Sequence, residues 1–424
     1  MPSLSIEYVA HSPWKWVMER VQEDINNSEK PKNGNTTTIT NMKEVASRDD
    51  LPSAELLKKL SEGIPSYKKK KLRNFTFLLD VVQTTDKAIH CCYHGISGAL
   101  DGLEDKDELV RTFQRCRIEH LEYTPPSLLL RWDTTLQECQ LIVKDQLPML
   151  QQNTNENGNS STTPFAVLKE PLSTKGEGIH FVRNVQEIYD ILEQHKNNDD
   201  ALTEMMDIKG RIPSWILQAE IYPARLIRDD RKFHMRSLIV AVETLTEQVH
   251  EVNLYLFQSH EVRLAAMSSA EDENTGERCR EAHITNAKTS SSAEENGNKN
   301  RLFVMSEMEE LQEYQPSLEL FCASTFLQLL PDITRRVAYT SKECGSSEQI
   351  QKHVLGGVDC MMTQSGKWYL LEVNKNPSCP PLAECQPSLQ QHLIEFGRDL
   401  QHLLTTGTEK GTKFVKLEDL IPKR

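Results

Sequence analysis

The chain contains no apolar run approaching the length of a membrane span, and its N-terminus lacks a basic segment followed by an apolar one. Neither insertion nor secretion is therefore expected. Its ten cysteines show no C-x-x-C or zinc-type spacing; Cys91 and Cys92 are adjacent and the others stand apart. That pattern excludes a zinc module and fits reduced thiols in the cytosol. The Walker A order G-x-x-x-x-G-K-[ST] is missing, as is any convincing nucleophilic triad. Positive charge is outnumbered, with 49 Lys and Arg against 62 Asp and Glu. The net charge is −13, which argues against generic nucleic-acid binding while leaving local basic patches open. What is present is 424 residues, 38% hydrophobic and 26% charged, enough for two or three lobes with polar insertions.

The stretch 355–377, LGGVDCMMTQSGKWYLLEVNKNP, reads as two apolar strands joined by a turn. A two-residue turn at Ser365-Gly366 pairs Gln364 with Lys367 and so places Asp359 opposite Glu372. Asn374 points to the same face, because strand side chains alternate. Two acids facing each other across a ladder are destabilising unless something cancels them. Mg²⁺, which takes one or two carboxylates and completes its shell with water and phosphate oxygens, is the simplest answer; the bland alternative is a solvated hairpin face.

Upstream, residues 1–66 hold few apolar runs and read as variable and partly disordered, with a short helix near 54–60. Lys68 to Lys71 and Arg73 form a basic cluster before an apolar strand at 75–82. Leu103, Leu109, Val110 and Phe113 recur at helical spacing, which predicts an amphipathic helix over 105–117. A short apolar piece at 127–130, a helix ending near Leu150 and a polar tract at 151–163 follow. The segment FAVLKEPLSTKGEGIHFV, 165–182, predicts two strands around a Gly-containing loop. Lys169 ends the first strand, Lys175 lies in the loop, and Gly176 and Gly178 bracket Glu177. Such a loop can bring backbone N–H groups and a point charge to a phosphate, or be a plain hairpin. Further strands are predicted at 215–221, 231–242 and 252–257, with a turn before Arg263; Lys232, His234 and Arg236 share one strand face. A polar tract at 267–301 carries one island, His283-Ile284-Thr285-Asn286. Leu389, Leu393, Phe396, Leu400 and Leu403 form the apolar stripe of a closing helix.

Four motifs in order, LKEPLSTKGEGI, WILQ with RKFHMRS, HITN, and GVDCMM with LLEVNKNP, make the chain resemble the tubulin–tyrosine ligase family of the ATP-grasp superfamily, from about Gly95 to Leu404. The resemblance implies an α+β ATP-grasp fold, with two α+β lobes clamping ATP and an N-terminal α/β lobe. The corresponding division is 67–130 for the N-terminal lobe and 131–214 for the central one. Residues 215–405 would form the C-terminal lobe, with an insertion near 268–300, and 406–424 a tail. It further implies that Lys169 touches the nucleotide phosphates and that Lys175, Gly176 and Gly178 form a loop over them. Gln218 would sit at the adenine, Lys232 would reach the nucleotide, and Asn286 would lie at the same site. Lys106 matches a family lysine loosely. Arg236 and Arg263 would face the reacting phosphoryl group and the acceptor carboxylate. Asp359, Glu372 and Asn374 would hold magnesium against ATP.

His234 departs from the pattern, since the family's K-F-D-x-R motif has aspartate there and a neutral imidazole supplies no fixed negative charge. The stretch 243–257 is also longer than in the namesake enzyme. The activity implied is ATP-dependent addition of a free amino acid, Tyr, Glu or Gly, to a carboxylate of an acidic-tailed protein such as tubulin. It implies a cytoplasmic enzyme, at microtubules if tubulin is the acceptor, with no nucleic-acid or membrane partner. The sequence leaves two other readings open: an adaptor that binds nucleotide without turnover, and a ligase acting on a non-tubulin acidic protein.

Overall fold

A computed structural model describes residues 4–9, 14–28, 39–45, 81–84, 88–92, 99–116, 120–147, 166–171, 173, 178–196, 212–245, 250–269, 280–285, 301–341, 349–375 and 377–422. The helix expected near 54–60, the basic cluster at 68–73, Lys175, Gly176 and Asn286 lie outside these residues.

The strands are β1 (Leu4–Val9), β2 (Ile39–Val45), β3 (Val81–Thr84), β4 (Ala88–Cys92), β5 (Ser127–Leu130), β6 (Ala166–Lys169), β7 (Ile179–Val182) and β8 (Trp215–Ala219). They continue as β9 (Leu226–Ile227), β10 (Arg231–Leu245), β11 (His250–Leu264), β12 (Leu302–Val304), β13 (Gln349–Met362), β14 (Trp368–Lys375) and β15 (Phe414–Lys416). Eleven of them form one sheet, in the order β12-β11-β10-β13-β4-β3-β1-β2, with β14 on β13, β15 on β11 and β9 on β10. The other four form a small sheet, β5-β8-β6-β7. Pairing is antiparallel except for β1 with β2 and β13 with β4. This is the mixed α and β architecture expected, built mainly on antiparallel sheets.

Alternation along β10 shows how the large sheet divides its labour. Phe233, Met235, Ile239 and Ala241 face a core shared with Leu318, Cys322 and Phe326 of the Gln315–Ser341 helix. On the opposite face, Leu238, Val240 and Val242 pack under Leu389, Leu393, Phe396 and Leu400 of the Pro387–Thr406 helix. The apolar stripe read from the sequence is thus core. Toward the start of β10 the same face turns from apolar to polar, at Lys232, His234 and Arg236, all buried. In the small sheet, the face bearing Leu168, Trp215 and Leu217 is covered by the Leu136–Gln146 and Val185–Lys196 helices. Its other face carries Lys169, Ile216 and Gln218.

Two local readings are corrected, and one element is unanticipated. The tip of the β13–β14 hairpin is a three-residue loop: Thr363 accepts from the Gly366 N–H and donates to the Lys367 carbonyl, with Gly366 at φ +87°. A left-handed glycine closing a three-residue hairpin replaces the expected two-residue turn. Residues 252–264 contain no turn, because β11 runs unbroken to Leu264 with an irregularity opposite Ser237–Ile239. Lastly, the Lys15–Ser28 helix lies within the N-terminal region, and Trp14 just before it joins Val17, Met18 and Val21 in the core under the closing helix.

Candidate functional site

Four strands bring one row of charge together. Glu261 on β11 lies opposite Arg236 on β10, Arg236 opposite Asp359 on β13, and Asp359 opposite Glu372 on β14. The last pairing is the one expected, reached by another route. The three-residue loop shifts the register of β14 by one; Leu371 then bulges out between Leu370 and Glu372 and shifts it back. Trp368 and Leu370 therefore face the core, whereas Glu372 and Asn374 face the site. Without the bulge Glu372 would point into the core, a re-aiming that bulges commonly provide beside functional sites.

Arg236 grips Asp359 at both oxygens, Nε to Oδ1 at 2.7 Å and Nη2 to Oδ2 at 2.6 Å. Burial disfavours the charged guanidinium, yet Asp359 outweighs it and raises the Arg236 pKa. The cancelling charge opposite Asp359 is thus in part an arginine. Asn374 Nδ2 bridges the two acids, at 3.0 Å from Asp359 Oδ2 and 3.1 Å from Glu372 Oε1. Arg263 reaches Glu261 Oε2 through Nη2 at 2.7 Å and Nε at 3.2 Å. Burial favours a neutral Glu261, but Arg263, His392 and Arg236 together hold its carboxyl below the usual range. Gly357 leaves room beside this row: a Cβ there would lie 2.9 Å from Pro377 Cβ and 3.4 Å from Arg236 Cδ.

Lys169 and Gln218, on neighbouring strands of the small sheet, bond to each other at 2.7 Å, and Gln218 Nε2 donates to Ser127 Oγ at 2.9 Å. They line a narrow cavity together with Lys106, Leu109, Phe113, Leu370 and the bulged Leu371. Lys106 opens the Lys106–Arg115 helix and donates to the Ser173 carbonyl, tethering the loop after β6. Burial pushes the Lys169 ammonium down to about 8; Glu372 pulls it up and Lys106 pushes it further down. Gly178 has a conformational duty: φ is +62°, and a Cβ would fall 2.5 Å from Glu170 Oε2 and 2.6 Å from Ser173 Cβ.

Lys232 donates to Glu220 Oε1 at 2.6 Å and lies 2.6 Å from His283 Nδ1. His234 meets the Thr285 hydroxyl through Nδ1. Burial, then Arg263 and Arg236, push its pKa far below the ordinary value, so the imidazole is neutral. The HITN island is therefore joined to β10 through His283 and Thr285, which sequence reasoning does not single out as site residues. It misses Glu220 and Glu261 as well. Each stands two residues from a residue that it names, Gln218 or Arg263, and strand parity finds Glu261 once β11 is read as continuous.

Two carboxylates and an amide oxygen form a hard-oxygen donor set of the kind Mg²⁺ prefers. Asn374 Oδ1 takes no hydrogen bond from a described residue. The set fits the ion on two conditions: the Asn374 amide turns to bring Oδ1 in place of the Nδ2 that now bridges the acids, and the cation competes with Arg236 for Asp359. Among the described residues no cluster of three or more His, Cys, Asp or Glu side chains forms a metal cage.

A model of the Tubulin-tyrosine ligase family matches residues 104–397, which takes in this whole site. No curated protein matches the chain. Matched over most of its length, the chain belongs to the tubulin–tyrosine ligase family and is a ligase-type enzyme.

Proposed function

We propose that the protein joins a free amino acid to a carboxylate of an acidic protein tail, using ATP and passing through an acyl-phosphate. The observation that carries this is the row Arg236–Asp359–Glu372, with Glu372 near enough to Lys169 to act on its ammonium and Arg263 on the neighbouring strand β11. The nucleotide would lie in the cavity between the small sheet and β14, clamped by both, with its phosphates toward Lys169, Lys106 and Lys232. Lys175, Gly176 and Gly178 would belong to the loop over those phosphates, and Gln218 and Asn286 to the nucleotide's surroundings.

The chemistry asks little covalent work of the side chains. A carboxylate oxygen of the acceptor attacks the γ-phosphorus and ADP leaves. The donor ammonium then gives up one proton, its free amine attacks the acyl carbon, and the departing phosphate takes the second N–H proton. Positioning and charge neutralisation supply the acceleration. Arg236 and Arg263 present planar forks suited to phosphoryl and carboxylate oxygens. Magnesium held by Asp359, Glu372 and Asn374 would neutralise charge on the phosphates. By taking Asp359, it would also free Arg236 for the transferring group. The buried setting excludes water, which would otherwise hydrolyse the acyl-phosphate.

An acidic tail approaching a chain of net charge −13 needs local positive charge, for which Lys68 to Lys71, Arg236 and Arg263 are the candidates. The test incubates the full chain with MgATP, a synthetic acidic peptide with the sequence of a tubulin tail, and tritiated Tyr, Glu or Gly in turn. One donor is expected to become peptide-bound with the wild type and none with Glu372→Gln. ATP binding with equal inertness of both proteins across all donors and acidic acceptors would instead establish a nucleotide-binding adaptor.

A further inference from the structure

Among the acids on the charged face, Glu261 is the one that the proposed reaction leaves without a task. Asp359 gives both oxygens to Arg236, and Glu372 is tied to Asn374 beside Lys169. Glu220 serves Lys232 and His283. Glu261 engages Arg263 through Oε2 alone, and its Oε1 takes no hydrogen bond from a described residue. Only 3% exposed, it stands opposite Arg236 in the ladder and on the same strand face as Arg263. Its charge therefore lies where the two arginines would hold the acceptor carboxyl.

The reaction brings a cation to that place. A free amino acid arrives as a zwitterion, and its ammonium must come within attack distance of a carbonyl flanked by two guanidiniums. Like charge repels it there, strongly in a buried setting. A fixed carboxylate next to the arginines removes that repulsion and gives the ammonium a partner. The neutral His234 supplies none, nor do the apolar neighbours Val262 and Leu264.

Resting on the ligase reading, we propose that Glu261 receives the α-ammonium of the donor amino acid through Oε1 while Oε2 keeps Arg263 in place. The Glu261–Arg263 pair then forms the head-group subsite for a zwitterionic amino acid.

The test compares two amines on the full chain with MgATP and the synthetic acidic peptide. One is the tritiated amino acid that the wild type accepts; the other is hydroxylamine, an uncharged nucleophile that traps the activated carboxyl as a hydroxamate. In Glu261→Gln the donor KM is expected to rise roughly ten- to hundredfold, with a much smaller fall in hydroxamate formation. Glu261→Asp should recover part of the donor KM, and it carries the comparison alone if the glutamine variant fails to bind ATP. An unchanged donor KM, or equal loss of both reactions, overturns the proposal, the latter leaving Glu261 only to hold Arg263. A wild type that binds ATP but forms neither hydroxamate nor conjugate overturns the ligase reading and this inference with it.

Discussion

Lys169 shows most plainly how a single residue's surroundings set its chemistry. Its ammonium titrates at about 8 against an ordinary 10.5, because burial disfavours the charged form. The unfolded chain therefore binds more protons between those two values. Below about pH 8 the cost of burying the charge is fully present, and stability rises as pH climbs from about 8 toward 10.5. Nucleotide binding runs the other way, since phosphates need the protonated lysine. ATP affinity should hold steady below pH 8 and fall by up to about tenfold per unit above it. Lys169→Arg should flatten that limb, because guanidinium does not titrate there. Calorimetric titration from pH 7 to 10 measures both; a wild-type affinity that stays level to pH 10 would remove Lys169 from the phosphates.

At the scale of an element, the bulge in β14 decides which way the acids point. Deleting Leu371 would remove the extra residue and place Glu372 directly after Leu370, on the opposite strand face and still opposite Asp359. The expected result is a variant that still gains melting temperature from MgATP, with affinity weakened by the loss of a leucine from the cavity wall. A deletion variant that no longer gains melting temperature from MgATP would show that the bulged residue itself, and not the facing of Glu372, is what the site needs.

The same hairpin shows what the sequence can and cannot disclose. Apolar alternation in VDCMM and WYLLEV makes the strands and their facing acids legible, because period two is written in the residue types. The turn is misread because Ser365-Gly366 suits a two-residue loop as well as the end of a three-residue one. The bulge leaves no mark, since Leu371 is an acceptable strand residue on either face. The two misreadings cancel. In β11 the polar run Gln258-Ser259-His260 imitates a turn although the chain stays extended, and Glu261 is lost with it.

For the whole molecule, the charged half-face of the large sheet borders a core to which distant segments contribute. Trp14 is fully buried against Phe396, and its indole N–H donates to the Pro377 carbonyl, just past Asn374. Trp16 does the same for Pro380. The spacing of Trp14, Val17, Met18 and Val21 along one helix face is present in the sequence, hidden by the polar tract that follows. Trp14→Ala should cost about 3–5 kcal/mol, and thermal melting should fall even with MgATP bound. An unchanged melting temperature would mean that the helix is dispensable to the fold that carries the site.

The most direct measurement follows oxygen. With the acceptor peptide's carboxylates labelled with ¹⁸O, the proposed chemistry moves one labelled oxygen into each phosphate released during ligation, and Glu372→Gln releases none. Phosphate that forms as fast as conjugate yet carries no label would mean that water, and not the acceptor carboxylate, attacks the γ-phosphorus, contradicting an acyl-phosphate route.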